Sequence, residues 1–396
     1  MIKPAQKTIK SGVSFSSAGS APRRIGFVAN SGLGMYQFRR DVALQLQSDG
    51  YEVHCIVPED AYTGQLIAAG LSVHLIKMQL YGRNPFQELA LYRSLENLYA
   101  SLDLDLIFHY TLKPNIYGTF AASALQIPSV MIVPGLGNFP DLGNPLLRGL
   151  IMQALGKAVR LADEVWFLNE HDHGYYEGKD WLNETKSRIL PSEGVNTEHY
   201  EYVELNSSDE NKPLQVLFAG RILASKGVRD YVEAARICKQ RGLNVVFTIA
   251  GFLGGGNPDA IDASEVEQWH QSGLINFVGD TDDIRPLLEM AHLVVLPTKY
   301  REGISRILLE AMAIGRPILT TPGPGTSPLV THMKNGYLVP TDDPRAIAEA
   351  IDHFASLPHS SQVRMGSAGR RVVEANYSVA QVMRVYAAYI QERLRA

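Results

Sequence analysis

The sequence has little cysteine. Two residues in 396 cannot build a disulfide framework, and no Cys/His spacing fits a zinc site. Cys55 and Cys238 lie in apolar or helical runs and read as buried thiols, a usage that fits a reducing compartment. Long hydrophobic runs are also missing, since none approaches the roughly 20 residues that cross a bilayer. Nor is there an excess of positive charge. Asp and Glu number 41 against 37 Lys and Arg, a net charge of -4, which argues against a nucleic-acid partner. The first 22 residues carry Lys3, Lys7 and Lys10 and no acid. They lack the apolar core of a signal peptide and read as a disordered tail, 1–22. The whole sequence is 45% hydrophobic with 34 Gly and 21 Pro, the profile of a soluble globular chain of two or three domains.

Apolar β-branched runs alternate with helical patterns from Arg24 onward. Strands are expected at 24–30, 51–57, 71–77, 104–109, 129–133 and 164–168. Continuous apolar strands separated by helices imply a parallel sheet covered on both faces. The pattern pauses at Glu198–Pro213, a polar stretch ending in proline that reads as a linker. A second series begins at Leu214, with strands expected at 214–220, 245–250, 275–279, 293–296, 317–321 and 337–339. Helices at about 344–357, 360–376 and 379–395 close the chain. The expected fold is therefore α/β, two doubly wound Rossmann-like domains. The expected division is a first domain over 23–195, a linker over 196–213, a second domain over 214–376 and a C-terminal helix over 377–396 packing back toward the first. Ligands of such folds bind outside the carboxyl ends of the strands.

Three segments carry candidate chemistry. Gly32-Leu-Gly34 follows the first strand, but the third glycine of a dinucleotide fingerprint is replaced by Gln37. A loop there still lets a ligand approach the backbone at a helix start. The second domain opens with Ala219-Gly-Arg-Ile-Leu-Ala-Ser-Lys-Gly227. Arg221 and Lys226 leave a strand end just before a helix, either as diphosphate ligands or as ordinary surface cations. Tyr300 to Pro317 is dense in helix signals, with Ser305 as N-cap, Gly315 as C-cap and Pro317 beyond. Glu302 precedes that helix and Glu310 lies about one and a half turns inside it. Free amides near Ile304 to Arg306 would form an anion site. The carboxylates can accept sugar and ribose hydroxyls. Two glutamates eight apart mean little as bare spacing.

In context, Glu302 to Glu310 matches the E-x7-E element of the family 4 retaining glycosyltransferases of GT-B fold. Gly220-Arg221…Lys226-Gly227 resembles their diphosphate-binding segment, about 80 residues upstream. The resemblance runs from about Arg24 to the C-terminus. His109-Tyr-Thr-Leu-Lys-Pro-Asn-Ile-Tyr-Gly118 and Pro134-Gly-Leu-Gly-Asn-Phe139 are similar to members that extend undecaprenyl-diphosphate-linked sugars. It implies that Arg221 and Lys226 hold the donor diphosphate, that amides of Gly303, Ile304 and Ser305 cap its distal phosphate, and that Glu310 binds ribose. Glu302 would hold the donor sugar, Gly34 would admit the diphosphate from the other domain, and His109 would lie near the transferred sugar. His109 also has a bland reading as a structural histidine. Lys113, Gly135 and Asn138 are candidate acceptor contacts. Arg306 departs from the family pattern, and it either adds charge or points to solvent.

The implied reaction moves an N-acetylhexosamine from a UDP-sugar to a polyprenyl-diphosphate-linked saccharide, with retention, at the cytoplasmic face of the inner membrane. No cofactor and no metal are expected. The Asp-x-Asp pairs Asp103/Asp105 and Asp280/Asp282 read as loop or strand-edge solvation. A helix spanning Asn144 to Leu161 has no acidic residue and sets Leu147, Leu150, Ile151, Ala154, Leu155, Ala158 and Leu161 on one face. It is either a core helix with a cationic side or a membrane-docking helix. Two alternatives stand beside the transferase: a sugar-nucleotide 2-epimerase of the same architecture, which needs no acceptor, and a non-catalytic sugar-nucleotide-binding subunit.

Overall fold

The computed structural model describes residues 22–79, 84–135, 144–182, 187–207, 212–253 and 257–395. The tail expected before residue 22 lies outside them. The first strand–helix series runs β1 (Arg24–Val28), α1 (Gly32–Phe38), α2 (Arg40–Ser48), β2 (Glu52–Val57), α3 (Thr63–Ala68), β3 (Ser72–Leu75), α4 (Pro85–Leu102), β4 (Leu106–Tyr110), α5 (Thr119–Ala124), β5 (Ser129–Val133), α6 (Pro145–Leu161), β6 (Glu164–Phe167), α7 (Glu170–Glu177) and β7 (Ser187–Ile189). The second runs β8 (Leu214–Ala219), α8 (Val228–Gln240), β9 (Val245–Ala250), α9 (Ala263–Gln271), β10 (Asn276–Gly279), α10 (Arg285–Met290), β11 (Leu293–Leu296), α11 (Arg306–Ile314), β12 (Ile318–Thr320), β13 (Gly336–Leu338), α12 (Pro344–Ser356), α13 (His359–Asn376) and α14 (Val379–Arg395).

The strands form a seven-stranded sheet, order β3-β2-β1-β4-β5-β6-β7, and a six-stranded sheet, order β10-β9-β8-β11-β12-β13. Pairing is parallel, as in β1 with β2 and β4 and β8 with β9 and β11. Strands buried on both faces must be apolar throughout, and β4, β5 and β11 are buried at every position. The doubly wound α/β class expected from the sequence is therefore the observed one. In each sheet the chain reverses its direction of travel beside the first strand, so the switch points lie between β1 and β4 and between β8 and β11.

The residues divide into two compact units, one of residues 1–132 with 157–164 and the other of residues 133–156 with 165–396. The core of the second is built by strands β8 to β12 and the inner faces of α8, α11 and α12. In α8, Val228, Tyr231, Val232, Ala235 and Cys238 are buried, the i, i+3, i+4 spacing of one helical stripe. The Tyr231 hydroxyl is satisfied there by donating to the carbonyls of Val216 (2.8 Å) and Thr248 (3.0 Å). Cys55 and Cys238 are free and buried, and burial pushes each thiol up to about 12.

Three local readings change. The glycine pair after β1 is no loop: α1 starts at Gly32, because Ser31 caps it by accepting the Gly34 N–H. Strand β7 was not anticipated, being three half-buried residues paired with β6. The polar stretch after Glu198 is anchored rather than free. Tyr200 and Leu205 are buried, Val203 N–H donates to the Ile314 carbonyl, and Arg370 donates to the Tyr200 carbonyl.

Candidate active site

Strands β8 and β11 are neighbours at the switch point of the second sheet, and the segments leaving their carboxyl ends meet. After β8 the chain passes Gly220 and Arg221 and makes a short 3-10 turn, Ala224–Lys226. Gly227 follows with φ +76°, and a Cβ there would lie 2.0 Å from the Pro297 carbonyl oxygen. Only glycine allows that approach. The Ser225 carbonyl accepts the N–H groups of Lys299 (2.7 Å) and Tyr300 (3.1 Å), so the two loops are tied backbone to backbone.

This brings Arg221, Lys226, Tyr300 and Glu302 together. The Arg221 guanidinium and the Lys226 ammonium each lie 5.2 Å from the centre of the Tyr300 ring, within cation–π range. Lys226 donates to a Glu302 carboxylate oxygen. The side chains of that pair are only 11% and 12% exposed. Two cations, one carboxylate and an aromatic plate share the carboxyl ends of β8 and β11. Sequence reasoning did not find Tyr300, though its place two residues before Glu302 was readable.

Backbone packs closely along the stretch from Glu302 into α11. A Cβ on Gly303 would lie 2.3 Å from the Pro134 carbonyl oxygen, and one on Gly325 would lie 2.6 Å from the Gly303 oxygen. Gly135, at φ +130°, abuts the Gly303 amide in the same way. Asn169 caps α7 and donates 3.1 Å to the Gly303 carbonyl. Ser305 occupies the N-cap position of α11 as expected, but its hydroxyl makes no capping bond. Its Oγ is buried without a hydrogen-bond partner. The amides proposed to face an anion are not all free, because Ser305 N–H donates to the Gly325 carbonyl at 3.0 Å.

Glu310 lies in the second turn of α11 and is buried. Arg306 resolves the alternatives left open for it. Its Nε donates to Glu310 at 2.7 Å, an i,i+4 pair, and its guanidinium also reaches the Gly194 carbonyl. Tyr200 completes the group. Its hydroxyl is pushed well up, first by burial and then by the Glu310 carboxylate.

Comparison with known proteins gives the family and the fold. Residues 213–356 match the family model "Glycosyl transferases group 1", and residues 24–166 match "Glycosyl transferase 4-like". The chain belongs to the glycosyltransferases. Its relatives include the N,N'-diacetylbacillosaminyl-diphospho-undecaprenol α-1,3-N-acetylgalactosaminyltransferase of Campylobacter jejuni, 29% identical over 83% of this chain and 88% of that one. The capsular polysaccharide biosynthesis glycosyltransferase CapM of Staphylococcus aureus is 26% identical over 74% and 79%. Among solved structures, HepE of Anabaena in complex with UDP superposes with a TM-score of 0.75 at 17% identity, covering 93% of this chain and 100% of that one. A glycosyltransferase from Rickettsia africae gives 0.76 at 17%, covering 95% and 99%. The fold is GT-B.

The other expected residues of the glycosyltransferase lie in the first compact unit, apart from Asn138, which is outside the described residues. The Gly34 N–H donates to Ser31 Oγ at 3.0 Å, and the neighbouring Leu33 N–H donates to Asp60 at 2.9 Å. Both amides are thus already engaged by the chain's own side chains. His109 is wholly buried in β4. Its Nε2 lies 3.1 Å from the Tyr99 hydroxyl and its Nδ1 3.3 Å from the Thr119 hydroxyl. Burial holds its pKa down to about 3, so the ring is neutral. Lys113 is paired with Glu88 at 2.5 Å, both side chains mostly buried. Asp105, from one Asp-x-Asp pair, pairs with Arg23 and accepts the Arg24 N–H. Among the described residues no group of three His, Cys, Asp or Glu is placed to hold a metal ion.

Proposed function

We propose that this glycosyltransferase moves an N-acetylhexosamine from a UDP-sugar to a polyprenyl-diphosphate-linked saccharide, with retention at the anomeric carbon. The observation that carries the reading is the cluster of Arg221, Lys226, Tyr300 and Glu302 at the β8–β11 switch point, with Glu310 on the adjoining helix. A diphosphate there meets a planar fork and a point charge. The positive end of α11 adds to the field. Fixed charges of this kind stabilise negative charge growing on a leaving diphosphate by several kcal/mol. The UDP in the HepE complex and the undecaprenol-linked substrate in the name of the Campylobacter relative support the same donor and acceptor classes.

In this reading Glu310 accepts the ribose hydroxyls, while Arg306 holds its carboxylate in place. Glu302 accepts sugar hydroxyls. Lys226, now paired with Glu302, bridges sugar and phosphate. The Gly303 and Ile304 backbone lines the distal phosphate, with Ser305 Oγ as a further donor. Gly135 and Lys113 face the acceptor side, and Gly34 keeps space beside the first sheet. His109 supports the end of β4 as a neutral imidazole. The acceptor hydroxyl attacks the anomeric carbon on the face from which UDP departs. Its proton passes to the departing phosphate oxygen, so no enzyme carboxylate is alkylated. In this reading the protein works peripherally at the cytoplasmic membrane face.

The test is a titration of UDP into wild type and Arg221→Ala/Lys226→Ala, followed by NMR of donor with and without acceptor. Loss of UDP binding in the double variant is expected, with sugar transfer strictly dependent on acceptor. Undiminished UDP binding would overturn the site assignment. Conversion of the donor sugar without acceptor would favour the epimerase reading.

A further inference from the structure

The segment Asn257-Pro258-Asp259-Ala260-Ile261 brings an acid against the turn that bears Lys226. It lies beyond the carboxyl end of β9, the strand beside β8. The two strand exits run close together. Gly251, at φ +147°, abuts the Gly220 carbonyl, and a Cβ there would lie 1.8 Å from its oxygen. Asn257 folds its own segment into a local turn. Its side-chain oxygen accepts the Asp259 N–H at 2.9 Å, and its carbonyl accepts the Ala260 N–H at 3.0 Å. Backbone then ties the segment to the chain leaving β8. Leu223 and Ala260 form an antiparallel bridge, and the Ile261 N–H donates to the Ile222 carbonyl at 3.1 Å.

Asp259 grips the Ala224–Lys226 turn itself. Its carbonyl accepts the Ala224 N–H at 2.9 Å. Its carboxylate oxygen Oδ2 accepts the Ser225 N–H at 3.0 Å and also the Ser225 hydroxyl. The Ser225 carbonyl in turn accepts the N–H groups of Lys299 and Tyr300. Ser225 is thus held at amide, hydroxyl and carbonyl by two different loops. A three-residue 3-10 turn has poor hydrogen-bond geometry of its own, so these contacts decide where it lies. Lys226 is the next residue, and from there its ammonium reaches Glu302 and the face of Tyr300. Charge points the same way. A carboxylate near a diphosphate repels it, so Asp259 does not serve the ligand through its own charge. The cations within its field, Arg229 and Lys299, pair with Glu265 and Asp342. What Asp259 contributes is two oriented hydrogen bonds on one oxygen.

We propose that Asp259 is a positioning residue for the donor diphosphate: it holds the Ala224–Lys226 turn so that the Lys226 ammonium, with Arg221, meets the phosphates. The inference rests on the reading above, in which those two cations bind the diphosphate. It is tested by titrating UDP and uridine separately into the full chain, UDP by calorimetry and uridine by NMR. Wild type is expected to bind UDP more tightly than uridine. Equal affinities in wild type would overturn the diphosphate reading itself. Against that wild-type difference, Asp259→Ala is expected to weaken UDP about tenfold, the loss of a hydrogen bond to a charged group, and to leave uridine within about twofold. Retained uridine binding also shows that the variant is folded. Asp259→Asn keeps a side-chain oxygen for Ser225 and should hold UDP within about threefold of wild type. Wild-type UDP affinity in the alanine variant would overturn the positioning role. So would an equal loss of UDP and uridine, or an asparagine variant as weak as the alanine one, which would make the charge and not the hydrogen bonds decisive.

Discussion

Glu310 carries a charge that the fold has already partnered. Arg306 holds one carboxylate oxygen at 2.7 Å, and both side chains are mostly buried. Glu310→Gln keeps an oxygen for Arg306, so the variant should fold. What it loses is the charge on the acceptor proposed for ribose. A hydrogen bond to a charged group contributes about 1.5–3 kcal/mol, so KM for the donor should rise roughly 10- to 100-fold; wild-type kinetics in the variant would remove the ribose assignment. His109 gives a pH prediction of opposite kind. Its folded pKa, about 3, lies below the ordinary value near 6.5. Between these values the unfolded chain binds a proton that the folded chain does not. Stability is therefore fully present above about pH 6.5 and falls as pH drops toward 3, by on the order of 1 kcal/mol per pH unit. Buried His292, held down to about 4 by burial first and Arg316 second, acts with the same sign. Urea unfolding at pH 7 and pH 5 should show a smaller difference for His109→Asn than for wild type. An unchanged difference would mean that the buried imidazole does not set the acid limit.

Helix α11 shows how one element serves both site and core. One side holds the pair Arg306 and Glu310, while Leu308, Leu309, Ala311, Met312 and Ala313 are buried in the apolar core. It ends at Gly315, φ +92°, in the αL conformation that favours glycine. Arg316 follows, wholly buried, and burial lowers its pKa to about 10. The guanidinium donates to the carbonyls of Ala291 (3.2 Å) and Ile314 (3.4 Å) and to that of Val203. Arg316→Leu would strip several buried carbonyls of their donor at once, a loss of about 3–5 kcal/mol. Arg316→Lys should restore little, because an ammonium cannot span the same carbonyls. Thermal unfolding of both variants checks this, and a near-native Tm for the lysine variant would refute the fork argument. Most of this helix was legible beforehand. Its run of helix formers, its terminal glycine and Pro317 fix where it lies. Its i,i+4 pair was equally readable yet was passed over, since many such pairs are surface decoration. The role of Arg316 was not legible. It depends on which carbonyls three separate segments bring to one point. The surroundings of His109 were not legible either: Tyr99 and Thr119, each ten residues away, close around the ring.

At the scale of the whole molecule the chain does not stop where its second sheet is complete. After α13, Tyr377 and Ser378 run beside Val195, with Val195 N–H donating to Tyr377 at 2.9 Å and Val379 N–H to Val195 at 3.1 Å. Helix α14 then meets β6. Tyr386 and Tyr389 stand edge-on to the Trp166 ring at 5.0 and 5.4 Å. The Arg188 guanidinium lies 5.4 Å from Trp166 and 5.3 Å from Tyr389. Trp166, Val382, Tyr386, Tyr389 and Ile390 are all buried. Burying an aliphatic or aromatic side chain contributes about 1.5–3 kcal/mol. Four such side chains from one helix rival the total stability of an ordinary domain, about 5–15 kcal/mol. The last seventeen helical residues are therefore a structural member of the molecule. Ending the chain at Ser378 should expose Trp166, shift its fluorescence to the red and leave the protein aggregation-prone. Tyr386→Ala is the milder case, costing about 3–5 kcal/mol through the cavity it opens. It should lower the urea midpoint without changing donor KM, because the helix lends stability and no group to the diphosphate cluster. A raised donor KM with an unchanged midpoint would reverse that assignment and make α14 part of the binding site.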